Sequence, residues 1–161
     1  MSLDKAKMPD VDASGFKFAV IASCFNQNMV DALLNDAVKT FKRAGVPEKS
    51  LKIVRVPGAC ELPVIASILA DSSEYDCVVV LGVVIAGETP HHEIIAHSTA
   101  NAFQKIAVET TVPVINGVIV ANNYEQAANR TIGKIARGVE FAEAAIQMAW
   151  QTSLLLDETE F

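Results

Sequence analysis

The sequence predicts a single α/β domain, a three-layer sandwich in which helices cover both faces of a four-stranded, mostly parallel sheet. Strand-like apolar runs alternate with helical patterns four times along the chain, which is typical of parallel sheets with helical crossovers. Residues 78–85 form a continuous apolar run, as expected of a central strand covered on both faces. A length of 161 residues suits one domain with one proper core.

Each predicted strand is a short apolar run, and each predicted helix has apolar residues at helical spacing. Strands are expected at residues 16–24, 51–58, 75–85 and 112–121. Helices are expected at residues 29–44, 61–73, 91–111 and 124–148, the last bent or broken near Gly133 and Gly138. Pro47 follows the first helix, and Pro63 falls in the first turn of the second, where its missing N–H has no consequence.

The domain is expected to span residues 16–152. Residues 1–15 carry charges and no apolar core such as a signal peptide needs, which predicts a disordered N-terminal tail. Residues 153–161 are expected to form a C-terminal tail. No apolar segment reaches the roughly 18 residues of a spanning helix, so no membrane partner is expected.

The composition points to a small-molecule partner in the cytoplasm. A net charge of −6 and the lack of a basic run argue against nucleic-acid binding. Cys24, Cys60 and Cys77 stand in no metal spacing and fit reduced, cytoplasmic thiols. A mean hydropathy of +0.30 is high for a soluble monomer, which predicts that some apolar surface faces other subunits.

Polar side chains gather where the predicted strands end, and ligands of open parallel sheets bind at this edge. Phe25 and Asn26 follow the first strand, and Glu61 follows the second. Phe25 is either a core aromatic or a plate on which a heterocycle stacks, beside the amide of Asn26. Glu61 is either an acid favoured by the helix dipole or an acceptor for sugar-like hydroxyls.

The segment Gly87–Pro90 ends the third strand and leads into a helix that begins with two histidines. Backbone N–H groups at such a helix start can bind a phosphate, although a plain helix cap has the same pattern. His91 and His92 point about 100° apart on a helix, so one of them is expected to face solvent. A histidine at the mouth of a strand is a natural proton shuttle, although a lone histidine is more often structural than catalytic. The histidine spacing gives no metal pair, so no metal site is predicted.

Five motifs in this order resemble the 6,7-dimethyl-8-ribityllumazine synthase family. They are FN at 25–26, VPGACELP at 56–63, LGVVIAGETPHHE at 81–93, VETTVPVINGV at 108–118 and EQAANR at 125–130. The second and third motifs together are the specific part of this resemblance, which runs from about Phe16 to Met148. It implies a flavodoxin-like fold for the predicted sandwich.

The family joins 5-amino-6-(D-ribitylamino)uracil to 3,4-dihydroxy-2-butanone 4-phosphate with no cofactor or metal. The resemblance implies that Phe25 stacks on the pyrimidine and that Glu61 accepts the ribityl hydroxyls. His91 would move protons during Schiff-base formation and phosphate loss. The polar edge of the pyrimidine would be held by Asn26 and the chain at Ala59, Cys60, Val84 and Ile85.

The phosphate would be bound by Gly87, Glu88 and Thr89, together with Arg130 from a neighbouring subunit. Asn116 would also contact substrate, at a position where the family commonly has Phe. Other departures from the family pattern are Ala86 for Arg, and Cys60 and His92 for aromatic residues. The segment Ile132–Gly138 is one residue short of the family pattern, so whether Arg137 replaces a family lysine stays open.

The resemblance further implies a homo-oligomer, either a pentamer or a closed 60-subunit shell, with riboflavin synthase as a candidate partner. Two other classes of function remain open from the sequence. A weakly active paralogue that binds lumazine or flavin would tolerate the loss of His91 and Arg130, which are both present. A purely structural shell protein would not need residues 87–89.

Overall fold

The computed structural model describes residues 11–157, and within them four strands form one sheet. The strands are β1 (Phe18–Ser23), β2 (Leu51–Val56), β3 (Cys77–Ile85) and β4 (Val114–Ala121). The α-helices are α1 (Gln27–Arg43), α2 (Leu62–Asp71), α3 (His91–Thr110), α4 (Tyr124–Thr131) and α5 (Gly138–Asp157). Short 3-10 turns, Glu48–Ser50 and Ala59–Glu61, precede β2 and α2. The predicted α/β class is confirmed.

The strand order is β2-β1-β3-β4, and each neighbouring pair in the described sheet is parallel. The chain moves outward from β1 to β2 and then crosses back to β3 on the other side of β1. The strand order therefore reverses between β1 and β3. In open α/β sheets, the crevice at this reversal, beyond the carboxyl ends of the strands, is where ligands bind.

Two apolar cores lie on the two faces of the sheet. Helices α1, α4 and α5 cover one face, where the rings of Phe18 and Phe41 have their centroids 4.5 Å apart. Helices α2 and α3 cover the other face, where Leu62 and Phe103 pack on the sheet. β1 is buried throughout and β3 is buried up to Ile85, which explains why both strands read as nearly continuous apolar runs.

The expected tails differ from the structure wherever the structure describes them. Residues 1–10 and 158–161 lie outside the described residues. Ala13, however, is fully buried, and its N–H donates to the carbonyl oxygen of Ala44 at 2.8 Å. Residues 153–157 continue helix α5. The core thus extends to Ala13, before the predicted start of the domain, and α5 continues past the predicted end with residues 154–157 exposed.

The break predicted near Gly133 and Gly138 is confirmed, since α4 ends at Thr131 and α5 begins at Gly138. A Cβ built on Gly138 would lie 2.5 Å from the carbonyl oxygen of Leu33. The start of α5 therefore packs backbone to backbone against α1, at a distance that only glycine permits.

Candidate functional site

A cavity opens at the carboxyl ends of β1, β2 and β3, next to the start of α3. Its volume is about 360 Å³, which is within the range of small-molecule sites. The cavity lies where the strand order reverses. Its lining includes these predicted site residues: Phe25, Asn26, Ala59, Cys60, Glu61, Val84, Ile85 and His91.

The turn that follows β1 forms the first wall of the cavity. Phe25 is 72% exposed, so its ring is a surface plate rather than part of the core. Asn26 has a left-handed backbone, with φ 53° and ψ 44°, a conformation that asparagine tolerates better than most residues. Its side-chain Nδ2 donates to the carbonyl oxygen of Val83 at 2.9 Å. The residue that follows Phe25 is therefore hydrogen-bonded to β3.

The turn that follows β2 forms the second wall. Residues 59–61 make a 3-10 turn that runs directly into α2, and Pro63 lies at the start of this helix, as predicted. A Cβ built on Gly58 would lie 3.1 Å from Oε2 of Glu61 and 3.3 Å from Cδ2 of Phe25. The carboxylate and the aromatic ring therefore come together over the backbone of Gly58.

His91 is the first residue of α3 and lines the cavity, whereas His92 is directed elsewhere. The Nδ1 of His92 lies 3.3 Å from the carbonyl oxygen of Thr89, and its Nε2 lies 3.9 Å from Oε1 of Glu93. The expectation that one of the two histidines faces solvent is met by His91, which is exposed. Only 15% of the His92 side chain is exposed, because it folds back over the preceding loop.

The loop between β3 and α3 carries Gly87, Glu88 and Thr89, all of them exposed. They lie outside the residues that line the cavity but directly precede its His91. Pro90 is the N-cap of α3 and makes no side-chain capping bond within the described residues. The helix that follows is 20 residues long. Its first turn therefore offers backbone donors and a favourable dipole to an anion.

Arg130 and Asn116 also lie outside this cavity. Arg130 is near the end of α4, where its Nη1 donates to the carbonyl oxygen of Gln126 at 2.9 Å. Asn116 is exposed on the edge strand β4, and its Oδ1 accepts the N–H of Val118 at 3.0 Å. Neither residue is among those that line the cavity of its own chain.

Three cavity residues were missed by sequence reasoning. Ile95 lies one helical turn beyond His91, on the same face of α3, so helical spacing alone would have found it. Gly58 acts through the absence of a side chain, and Val83 contributes a carbonyl oxygen to the Asn26 amide. Neither role leaves a signal in the residue type.

Among residues 11–157, no group of three or more His, Cys, Asp or Glu side chains is arranged to hold a metal ion. Cys24, Cys60 and Cys77 are all free thiols, and only Cys77 is buried. No helix in this part of the chain is long and apolar enough to cross a membrane.

The sheet order and the cavity define a flavodoxin-like α/β protein with a small-molecule site at the reversal of its strand order. The family model described as 6,7-dimethyl-8-ribityllumazine synthase matches residues 15–152. A protein of that name from Desulfotalea psychrophila is 40% identical over 141 residues, which cover 87% of this chain and 91% of that protein. The chain belongs to the 6,7-dimethyl-8-ribityllumazine synthase family.

This membership confirms the resemblance that the five motifs indicated. The family consists of transferases of riboflavin biosynthesis. Its substrates are small molecules, and its members are generally oligomeric. These properties agree with a site that places a plate, a carboxylate and an imidazole around one cavity.

Proposed function

We propose that this chain condenses 5-amino-6-(D-ribitylamino)uracil with 3,4-dihydroxy-2-butanone 4-phosphate to form 6,7-dimethyl-8-ribityllumazine. The observation that carries the proposal is the meeting of Phe25, Glu61 and His91 around one cavity. These three groups suit a flat heterocycle, a polyhydroxylated chain and a proton transfer. They come from three separate segments of the chain.

The pyrimidine stacks on the ring of Phe25. An aromatic side chain that is 72% exposed beside a cavity is well suited to be covered by a flat ligand. Ala59, Cys60, Val84 and Ile85 line the same cavity, and the backbone at Ala59 and Ile85 is proposed to bond the polar edge of the ring. Backbone groups recognise a heterocycle well because their positions are held by the sheet.

The ribityl chain is bound by Glu61. An ionised carboxylate has only acceptor oxygens, so it accepts hydrogen bonds from neighbouring hydroxyls. Its Oε2 lies beside Gly58 and therefore near the edge of the Phe25 ring. This proximity matches a ligand in which the ribityl chain is attached directly to the stacked heterocycle.

The phosphate of the second substrate is bound by the loop at Gly87, Glu88 and Thr89 and by the start of α3. A dianion is favoured at the N-terminus of a 20-residue helix by free N–H groups and the helix dipole together. Arg130 of a neighbouring subunit adds a charge-assisted hydrogen bond. This anchoring would bring the ketone carbon of the substrate close to His91.

His91 moves the protons. The aryl amine attacks the ketone carbon, and the resulting carbinolamine loses water to give an imine. Elimination of phosphate then breaks a C–O bond and requires removal of a proton from the adjacent carbon. One imidazole that alternately donates and accepts is sufficient. Holding the two reactants together supplies much of the acceleration, since effective molarities reach on the order of 10⁵ M or more.

The working unit is a pentamer at minimum, as the resemblance to the family implies, and a phosphate site that uses Arg130 of a neighbouring subunit cannot form in a monomer. Arg130 and Asn116 lie outside the cavity of their own chain. Large apolar side chains are exposed on three helices, and such surfaces are typical of subunit contacts. They include Val64, Ile68, Ile94, Val108, Leu154 and Leu155. Analytical ultracentrifugation tests this point, and a monomer would contradict the shared site.

Mixing the purified protein with both substrates tests the proposed reaction. The expected result is catalysed formation of the lumazine, followed by its absorbance and fluorescence. Lumazine binding without turnover would indicate a ligand-binding paralogue instead. Failure to bind either substrate or product would indicate a role in assembly alone. A cytoplasmic location fits the three free thiols, and riboflavin synthase, which consumes the lumazine, is the proposed partner.

A further inference from the structure

Asn26 occupies the N-cap position of α1, yet its side chain makes no capping hydrogen bond within the described residues. Asparagine at this position normally accepts an N–H of the first helical turn. Here its Nδ2 donates instead to the carbonyl oxygen of Val83 at 2.9 Å, 57 residues further along the chain. Because the partner is an acceptor, the donor must be the amide nitrogen. The side chain thus bonds to strand β3 and does not cap helix α1.

The Val83 carbonyl lies just beyond the point where β1 stops pairing with β3. The last pair of these strands is Ala22 with Leu81, whereas β3 continues alongside β4. The N–H of Cys24 is already donated to carbonyls at the end of β2. The Asn26 amide therefore supplies a donor that the backbone of β1 no longer offers, and it satisfies a carbonyl of a buried residue.

The backbone of Asn26 makes the turn that separates β1 from α1. Its left-handed conformation redirects the chain at once, and its carbonyl oxygen accepts the N–H groups of Met29 at 2.9 Å and Val30 at 3.2 Å. Phe25 immediately precedes this turn. The direction of the Phe25 ring is therefore set by a residue that is bonded to the helix on one side and to β3 on the other.

We infer that Asn26 is a positioning residue. The hydrogen bond from its amide fixes the loop that carries Phe25 against the end of β3. It thereby fixes the distance between the Phe25 ring and the backbone of Val84 and Ile85. These residues line one cavity, and a flat ligand must fit between them. The inference rests on the proposed function for the identity of that ligand. In this inference the Asn26 amide donates to the Val83 carbonyl oxygen, whereas the family resemblance implied that Asn26 contacts the pyrimidine.

A double-mutant cycle with Phe25 tests this role. Asn26→Gly removes the amide and keeps the left-handed turn, because glycine adopts positive φ freely. We expect Asn26→Gly to weaken lumazine binding about 10-fold or more, while the KM for the butanone phosphate changes less than about 3-fold. In a Phe25→Ala background the same change should have less than about a 2-fold further effect, because Asn26 acts through the plate.

Asn26→Asp is the isosteric test, since a carboxylate cannot donate to the Val83 carbonyl. It should weaken lumazine binding at least as much as Asn26→Gly does. Asn28→Asp makes the same change at an exposed position two residues away and should leave binding intact. If the losses of binding free energy from Asn26→Gly and Phe25→Ala simply added in the double variant, the inference would be wrong and Asn26 would contact the ligand directly. Equal weakening of both substrates with a lowered melting temperature would overturn it in favour of a fold-wide role.

Hydrogen exchange of the ligand-free protein separates this inference from the proposed function. Asn26→Gly should speed exchange in residues 24–30 and leave β4 unchanged, whereas Asn28→Asp should change neither. Unchanged exchange in residues 24–30 would overturn the positioning role even if the enzyme is active. Failure of the wild-type protein to bind lumazine would contradict the proposed function and leave the exchange result standing.

Discussion

Gly58 leaves space for the ring of Phe25 where two strands end, since a Cβ built on Gly58 would lie 3.3 Å from Cδ2 of that ring. The same Cβ would lie 3.1 Å from Oε2 of Glu61. The φ of Gly58 is −144°, which any residue adopts, so glycine is required here for space and not for backbone conformation. The absence of a side chain at Gly58 leaves space for the Phe25 ring and the Glu61 carboxylate side by side.

Gly58→Ala should therefore impair binding without impairing folding. The added methyl must displace the Phe25 ring or the Glu61 carboxylate, and we expect the Kd for the lumazine to rise about 10-fold, which is about 1.4 kcal/mol. The free energy of unfolding should stay equal or rise by up to about 1 kcal/mol, because alanine restricts the unfolded chain. Titration calorimetry and thermal unfolding measure the two effects.

Gly87→Ala is the matched control for this change. Nothing lies within 4 Å of a Cβ built there, so lumazine affinity should match the wild type. If the Gly58→Ala protein bound lumazine with wild-type affinity, the Phe25 ring and the Glu61 carboxylate would be able to shift without loss of binding, and the prediction would be wrong.

His91→Ala should lower kcat about 10-fold or more with a modest change in substrate affinity, because positioning survives while proton transfer passes to water. His92→Ala should leave kcat nearly intact, since this side chain contacts the Thr89 carbonyl and lies outside the cavity. Steady-state kinetics on assembled proteins compares the two. A slower His92→Ala variant would reverse the assignment of roles.

Arg130→Ala should weaken binding of the butanone phosphate by roughly 2 kcal/mol and leave pyrimidine binding unchanged, because a charge-assisted contact to phosphate is lost. Separate titrations with each substrate check this. Arg43→Ala, at the exposed end of α1, removes the same charge elsewhere and should change neither affinity. Equal weakening of both substrates by Arg130→Ala would indicate a role in the fold or in assembly.

Cys77 should make the protein less stable at alkaline pH. Burial raises the pKa of its thiol above the ordinary value of 9.0, and the neighbouring Asp76 carboxylate raises it further. The folded state thus keeps the thiol neutral, while the unfolded chain ionises it. Stability from this group is complete below about pH 9 and falls above it, by about 1.4 kcal/mol for each further pH unit.

Urea unfolding across this range, compared with Cys77→Ala, isolates the contribution of the thiol. The variant should start from a lower stability, because a buried side chain is shortened, and should then lose less as the pH rises. Identical slopes for both proteins would contradict the buried, neutral thiol.

Most of the fold could be predicted from the sequence because local signals set the elements. Apolar runs marked β1 and β3, Pro90 marked the start of α3, and the break before Gly138 was expected. The extent of the domain was not predictable in the same way. Ala13 is buried in the core and its N–H donates to the carbonyl oxygen of Ala44 after α1, and a polar-looking tail carries no local sign of such a contact.

The sequence by itself determined the family, the alternation of strands and helices, and the residue types at the strand ends, since these depend on composition and short-range spacing. Only the tertiary structure decided that β1 and β3 are neighbours and that Phe25 and Glu61 come together beside Gly58. It alone showed that Asn26 bonds to Val83. Such contacts join residues that are distant along the chain. They depend on how loops close and cores pack, which no short stretch of sequence encodes.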